Sequence, residues 1–182
     1  MATDKNHERK LLKTAEISLM LDTYDDIFSD FDPRPFNSRS ISDDFLVEMK
    51  HAARDKPSGQ IELQLLMPGH LRNTESEKLI KKRLHEHFRH HYEDLQKDVR
   101  MLRVKGAAIA AVGFILMSSA LVLKTFELDK MLSDLLLVVL EPSGWFAMWF
   151  GLDTIFYGIR KKKPNLKFYE KMAKCEIVFL PY

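Results

Sequence analysis

The feature that most constrains this chain is an uncharged run of 18 residues, Gly106 to Leu123, closed on both sides by lysine. A helix rises about 1.5 Å per residue, so this run forms a rod of roughly 27 Å, close to the apolar thickness of a bilayer. A second apolar stretch, Leu135 to Ile159, ends at the four basic residues 160–163. Together they predict a transmembrane hairpin of two helices over residues 105–160.

Basic residues flank the outer sides of both runs, whereas the loop around 126–134 is mainly acidic. By the positive-inside rule, both termini are expected in the cytoplasm of a multi-pass membrane protein. The single cysteine, Cys175, excludes an internal disulfide framework and suits a reducing compartment. The flanking basic residues are Arg89, Lys97, Arg100, Arg103 and Lys105 on one side, and Arg160, Lys161, Lys162, Lys163 and Lys167 on the other.

The second apolar stretch is interrupted by Glu141-Pro142-Ser143-Gly144, which leaves two interpretations. Either one tilted helix spans Leu135 to Ile159 with a bend at Pro142, or residues 128–140 form an interfacial helix and the span begins at Pro142. We prefer the second, because the missing amide of proline suits a first helical position.

Three runs of alternating polarity predict strands at Lys13–Leu21, Gln60–Met67 and Lys174–Tyr182. Because a two-stranded sheet is marginal alone, the C-terminal strand is expected to return and complete the sheet. The fold class is therefore an α/β (α+β) cytosolic domain plus the two-helix hairpin. Its parts are 1–104 with a long helix at 74–104, the hairpin at 105–160, and the C-terminal return at 161–182.

Two helices are expected on one face of this sheet. The first begins after Ser42 as N-cap, carries the apolar stripe Phe45, Leu46, Met49 and Ala53, and ends at 56–59. The second begins at a capping box formed by Thr74 and Glu77. Nothing breaks it before Gly106, so it is predicted to continue into the first span over nearly 50 residues. Its apolar stripe is Ile80, Leu84, Phe88, Leu95, Val99 and Leu102.

Two acidic residues lie inside the second apolar stretch, Asp153 and Glu141. An ionised acid at a helix centre costs about 2.5–3.5 kcal/mol on insertion scales. Asp153 therefore either bonds a neighbouring helix, or Arg160 or Lys161, or lines and gates a pore; Glu141 is a candidate at the outer mouth. Two spans cannot enclose a pore, so conduction requires a homo-oligomer of four or more copies.

No catalytic set, cofactor motif or metal site is predicted. The histidines at 85, 87, 90 and 91 lack the spacing of a metalloprotease motif. The aspartates of 22–32 lack the spacing of a calcium loop, so turn and cap roles are expected for them. A basic patch that binds a nucleotide or oligonucleotide is a hypothesis. His70 and Arg72 follow the second predicted strand, where open sheets often bind ligands. The candidates are Arg34, Arg39, Lys50, Arg54, His70 and Arg72.

The segment 24–35 (YDDIFSDFDPRP), followed by Ser42-Asp43-Asp44-Phe45, resembles a block of small bacterial membrane proteins. The layout resembles the transmembrane effectors of bacterial antiphage systems, in particular the Hailong-type channel effector. The resemblance implies a cytosolic sensor joined to a short membrane hairpin, assembled into a channel that an oligonucleotide signal holds closed. It transfers no ligand-contacting residue to this chain.

We therefore expect a non-enzymatic, oligomeric inner-membrane effector or ligand-regulated ion channel, acting in antiphage defence with a partner protein of the defence system. The alternative is a membrane-anchored interaction module whose hairpin is only a tether.

Overall fold

The computed structural model describes residues 15–54, 61–126 and 129–182. The predicted features at 13–14, 56–60 and 127–128, including the first helix's end signal, lie outside the described residues. The strands are β1 (Ala15–Met20), β2 (Ile61–Met67) and β3 (Glu176–Pro181), and the helices are α1 (Asp43–Arg54), α2 (Thr74–Leu123) and α3 (Lys130–Ala173). Short 3-10 turns occupy Tyr24–Ile27 and Gly69–Leu71.

The three strands form one parallel sheet in the order β1-β2-β3. Ile17 pairs with Leu63, which pairs with Ile177 on the other side. Parallel neighbours need a crossover connection, and α1 makes the first, whereas α2 and α3 together make the second. The predicted mixed α/β fold, with a small sheet completed by the C-terminal strand, is confirmed at this level.

Burial alternates along the central strand, as the sequence pattern predicts. Ile61, Leu63, Leu65 and Met67 are at most 1% exposed, whereas the intervening residues are half-buried. The predicted stripe of α1 is buried, and so is the first part of the α2 stripe, Ile80, Leu84 and Phe88. The helices therefore supply the core on one face of the sheet, and the opposite face is partly open.

Helix α2 is one continuous helix of 50 residues, as predicted, but its predicted cap is wrong. The side-chain oxygen of Asn73 accepts hydrogen bonds from the backbone amides of Glu75 and Ser76, so Asn73 is the N-cap and Thr74 is the first helical residue. Glu77 is turned instead toward Arg72.

Helix α3 continues without a break through Pro142 and Pro164 over 44 residues. The preferred interpretation expected a first helical position at Pro142, and this helix start is wrong. The helix also runs 13 residues beyond Arg160, through the basic residues expected to end it. Lysine and arginine are good helix formers, so charge alone gives the backbone no reason to stop.

Contacts divide the chain into two compact units. The α/β unit comprises Met1–Glu93 and Leu166–Tyr182, and the hairpin unit comprises Asp94–Asn165. Each unit is described by itself below.

Candidate functional site

The hairpin unit carries its large apolar side chains on its surface. The most apolar 18-residue windows of α2 and α3 are only 17% and 11% buried. Both helices are long and apolar enough to cross a membrane. Exposed members include Phe114 at 65%, Phe146 at 72% and Phe156 at 69%. In water such a surface is unfavourable, because each Å² of apolar area left in contact with water costs about 25 cal/mol of free energy.

Small residues occupy the contact between the two helices of the hairpin unit. We call them the glycine seam, and they recur every seven residues in each helix. A Cβ added to Gly113 would lie 2.4 Å from the backbone nitrogen of Met148, and one added to Gly151 would lie 2.4 Å from that of Ala110. The seam is Gly106, Gly113 and Ala120 in α2 and Gly144, Gly151 and Gly158 in α3.

This spacing has a geometric meaning. A seven-residue repeat keeps one seam in contact along two helices that wind around each other in a left-handed sense, and glycine lets the backbones approach closely. Sequence reasoning missed this repeat in both helices. The equal spacing of Gly144, Gly151 and Gly158 was the available signal.

The register of the glycine seam sets the position of Asp153 along the hairpin. Gly106 packs between Gly151 and Ile155, so Asp153 lies level with Gly106, beside the lysine that closes the apolar run. Its side chain is exposed, and none of the ion pairs found among the described residues includes it. Asp153 thus stands at one border of the apolar segment rather than at its centre.

Glu141 belongs to the other end of the hairpin unit. Its Oε1 accepts a hydrogen bond from Lys124 Nζ at 2.8 Å, and both side chains are about half exposed. This pair joins the residue that closes the apolar run of α2 to the residue that precedes Pro142 in α3. The two candidate acids therefore lie toward opposite ends of the same apolar segment.

The α/β unit brings a second polar group to the carboxyl edge of its sheet. The Arg72 guanidinium donates two hydrogen bonds to the Glu77 carboxylate, of 2.8 and 3.1 Å. The Tyr24 hydroxyl donates to the same carboxylate and accepts a hydrogen bond from the backbone amide of Asn73. Glu77 is 7% exposed. The Arg72 guanidinium lowers the pKa of Glu77, and the carboxylate in turn raises the pKa of Arg72. Burial raises the pKa of the Tyr24 hydroxyl.

The six ligand-binding candidates do not form one open basic patch. Arg34 is paired with Asp32, and Arg39 with Asp25. Arg72 is held by Glu77 as described, and Lys50 lies over the rings of Phe168 and Tyr169. Within the described ranges, exposed candidates without such a contact are Arg54 and His70. A phosphate ligand would therefore compete with carboxylates already in place for three of the six.

The aspartates of residues 22–32 serve the loop itself. Asp26 accepts hydrogen bonds from the amides of Asp22 and Thr23, and Asp32 accepts one from Ser40. Hydrogen bonds from Arg34 lower the pKa of Asp32. The predicted turn and cap roles are confirmed for Asp26 and Asp32. Within the described residues, no group of three histidine, cysteine or acidic side chains is arranged to hold a metal ion.

The histidine cluster packs against the C-terminal part of α3 within the α/β unit. The ring of His91 stacks on Tyr169 with centroids 5.2 Å apart, and His87 lies 4.4 Å from His91. The Nε2 atom of His87 is buried without a hydrogen-bond partner in the described structure. Burial lowers the pKa of His87 to about 4, and the neighbouring charges of His91, Arg83 and His90 act in the same direction.

No family model, no curated protein and no solved structure matches this chain.

Proposed function

We propose that this chain is an integral membrane protein whose hairpin unit spans a bilayer, and that several copies assemble into an ion channel regulated through the α/β unit. The observation that carries the proposal is the inverted surface of the hairpin, with glycine inside and large apolar side chains outside. Lipid is the solvent in which that surface is stable, since burying it elsewhere would require a covering that residues 15–54, 61–126 and 129–182 do not supply.

Conduction adds a second requirement. Two helices packed through glycine leave no lumen between them, so a pore has to form between copies. Asp153 is exposed on the hairpin at the border of the apolar segment, where a ring of carboxylates from several copies would attract cations. This makes Asp153 the first candidate for the pore entrance, and Glu141, paired with Lys124, a candidate for the opposite mouth.

Regulation is supported by continuity of the backbone. Helix α2 contributes Ile80, Leu84 and Phe88 to the core of the α/β unit and also carries the glycine seam. Helix α3 likewise supplies residues to both units. A rigid element shared by two sites is a physical route for coupling them. The proposed signal is a nucleotide or oligonucleotide, and the proposed setting is bacterial antiphage defence; both rest on the resemblance described above.

The first experiment asks whether the hairpin is inserted. Full-length protein expressed in bacteria should remain in the membrane pellet after extraction at alkaline pH, with both termini protected from protease added outside intact cells. Release by alkaline extraction would contradict the proposal as a whole. Protease trimming of either terminus from outside would contradict the cytoplasmic placement of the α/β unit.

The second experiment separates a channel from a tether. The mass of the detergent-purified complex, with any co-purifying oligonucleotide, should correspond to four or more copies; a monomer would contradict the channel and favour the tether. Asp153→Asn should reduce cation flux into proteoliposomes several-fold. In cells that express the protein, it should reduce toxicity to a similar extent. Asp44→Asn, the same chemical change at an exposed position of α1, is the matched control. Equal flux from both variants would remove Asp153 from the pore.

A further inference from the structure

One end of the hairpin unit is surrounded by positive charge. Residues 97–105 of α2 and 155–163 of α3 contain eight basic residues and one acidic residue, Asp98. The two segments lie side by side, because Leu102 is the side chain nearest to Gly158 and Lys162 Nζ donates a 2.5 Å hydrogen bond to Asp98. We call this zone the basic collar.

Most of the collar is not neutralised within the hairpin unit. Lys162 is paired with Asp98, and Lys97 with Asp94 at 3.2 Å. In the described part of the chain, the remaining six side chains are exposed and take part in none of the observed ion pairs. These six are Arg100, Arg103, Lys105, Arg160, Lys161 and Lys163.

The position of the collar matches the headgroup layer of a bilayer. Lys105 directly precedes the apolar run of α2, and Arg160 directly follows that of α3. With a rise of about 1.5 Å per residue, the six exposed cations fall within a band about 12 Å tall on the two antiparallel helices. Long basic side chains at such a level keep their stems on apolar surface and extend their charged ends outward.

We infer that the basic collar binds the phosphate groups of anionic phospholipids in the cytoplasmic leaflet. Lysine and arginine near an anionic membrane surface each strengthen association appreciably, and the effect declines within a Debye length. This inference rests on the proposed membrane insertion and names the lipid class that the inserted protein selects. A nucleic acid is the less favoured occupant, because the cations border the exposed apolar surface on both helices.

The test uses full-length protein purified in a neutral detergent and titrated with phosphatidylglycerol or phosphatidylcholine of the same acyl chains, with bound lipid counted by native mass spectrometry. The wild type should prefer phosphatidylglycerol by about ten-fold or more at low salt, since each charge contributes several-fold. The preference should shrink at high salt. The triple variant Arg160→Gln, Lys161→Gln, Lys163→Gln should lose most of it.

The matched control removes three exposed cations from the α2 segment in the α/β unit: Lys78→Gln, Lys82→Gln, Arg89→Gln. It should retain the wild-type preference, because its exposed pairs with glutamates contribute little. Equal loss in both triple variants would overturn the inference by showing a net-charge effect.

Two further outcomes would overturn the collar as a lipid site. One is an unchanged lipid preference in the Arg160, Lys161 and Lys163 variant. The other is the loss of binding to a short single-stranded RNA in that same variant while its lipid preference stays intact, which would make the collar a nucleic-acid site. Protein that resists alkaline extraction yet shows no lipid preference contradicts this inference alone, whereas extractable protein contradicts the proposed insertion.

Discussion

Gly113 packs directly against the backbone of Met148, with no space for even one methyl group between the helices. A Cβ at Gly113 would stand 2.4 Å from the Met148 nitrogen and 2.6 Å from the Gly144 carbonyl oxygen. At Gly158, in the same seam, the nearest atom to an added Cβ is 3.4 Å away and belongs to the Leu102 side chain. The seam is therefore tight at one position and tolerant at another.

Gly113→Ala should destabilise the hairpin unit by about 1–3 kcal/mol, because the added methyl forces backbone atoms apart. Gly158→Ala makes the same chemical change where the neighbour is an ordinary contact, so alanine's advantage in a helix, about 1 kcal/mol over glycine, should leave stability equal or higher. Thermal unfolding of both variants in detergent measures this. Equal midpoints for the two variants would show that the helices do not meet at Gly113.

The seam also illustrates what the sequence could predict. The two apolar runs and the three alternating strands are local patterns, so their lengths and periods predict the elements. Which glycine faces which is a property of the register between two distant segments. Gly151 and Gly106 become neighbours only once that register is set, and a single apolar run contains no information about it.

The N-terminus of α2 offers a second test, since the sequence and the structure place its cap one residue apart. Asn73→Ala should cost about 1 kcal/mol, because the amides of Glu75 and Ser76 lose their acceptor. Thr74→Ala should be close to neutral. Urea unfolding of the two variants decides between the positions, and a larger loss for Thr74→Ala would restore the capping box predicted from the sequence.

The ligand candidates show a different limit of sequence reasoning. Arg34 lies two residues after Asp32, and the two form an ion pair. Opposite charges this close in sequence often neutralise each other, so the pairing of Arg34 with Asp32 is a local property that the sequence contains. Arg39 and Asp25, by contrast, are 14 residues apart, and only the folded loop brings them together.

Glu77 should make stability depend on pH below about 5. Its pKa is lowered in the folded state by Arg72, so its contribution is fully present above the ordinary value of 4.5 and is lost as the pH falls toward the folded-state pKa. Glu77→Gln should therefore be less stable than the wild type at pH 7, by about 1–3 kcal/mol, with a gap that narrows in acid.

Thermal midpoints of the wild type and Glu77→Gln between pH 7 and pH 4 measure this gap. The control is Glu75→Gln, whose exposed carboxylate pairs with Lys78 on the surface of the same helix and should change little at any pH. A gap between wild type and Glu77→Gln that stays constant across this range would mean that the buried pair does not titrate with folding.

His87 should make stability depend on pH in a higher range than Glu77 does, and it should do so through a positive charge on the imidazole. Burial lowers its folded-state pKa to about 4, from an ordinary value of 6.5, so the folded state favours the neutral ring. The resulting stability is fully present above pH 6.5 and is lost as the pH falls from 6.5 toward 4, because the unfolded chain takes up the proton first. His87→Phe removes both this titration and a buried Nε2 without a partner among the described residues. It should therefore raise stability by about 1 kcal/mol at pH 7 and by more at pH 5.

The same replacement at His85 supplies the control, since His85 lies on the same helix two residues away and is half-buried. Unfolding midpoints at pH 7, 6 and 5 should separate the two variants increasingly as the pH falls. Equal gains from His85→Phe and His87→Phe would mean that added apolar area, rather than relief of a buried imidazole, accounts for the effect. A loss of stability in His87→Phe would mean that the imidazole, which meets Phe88 edge-on and lies tilted against His91, makes polar contacts worth more than the burial they cost.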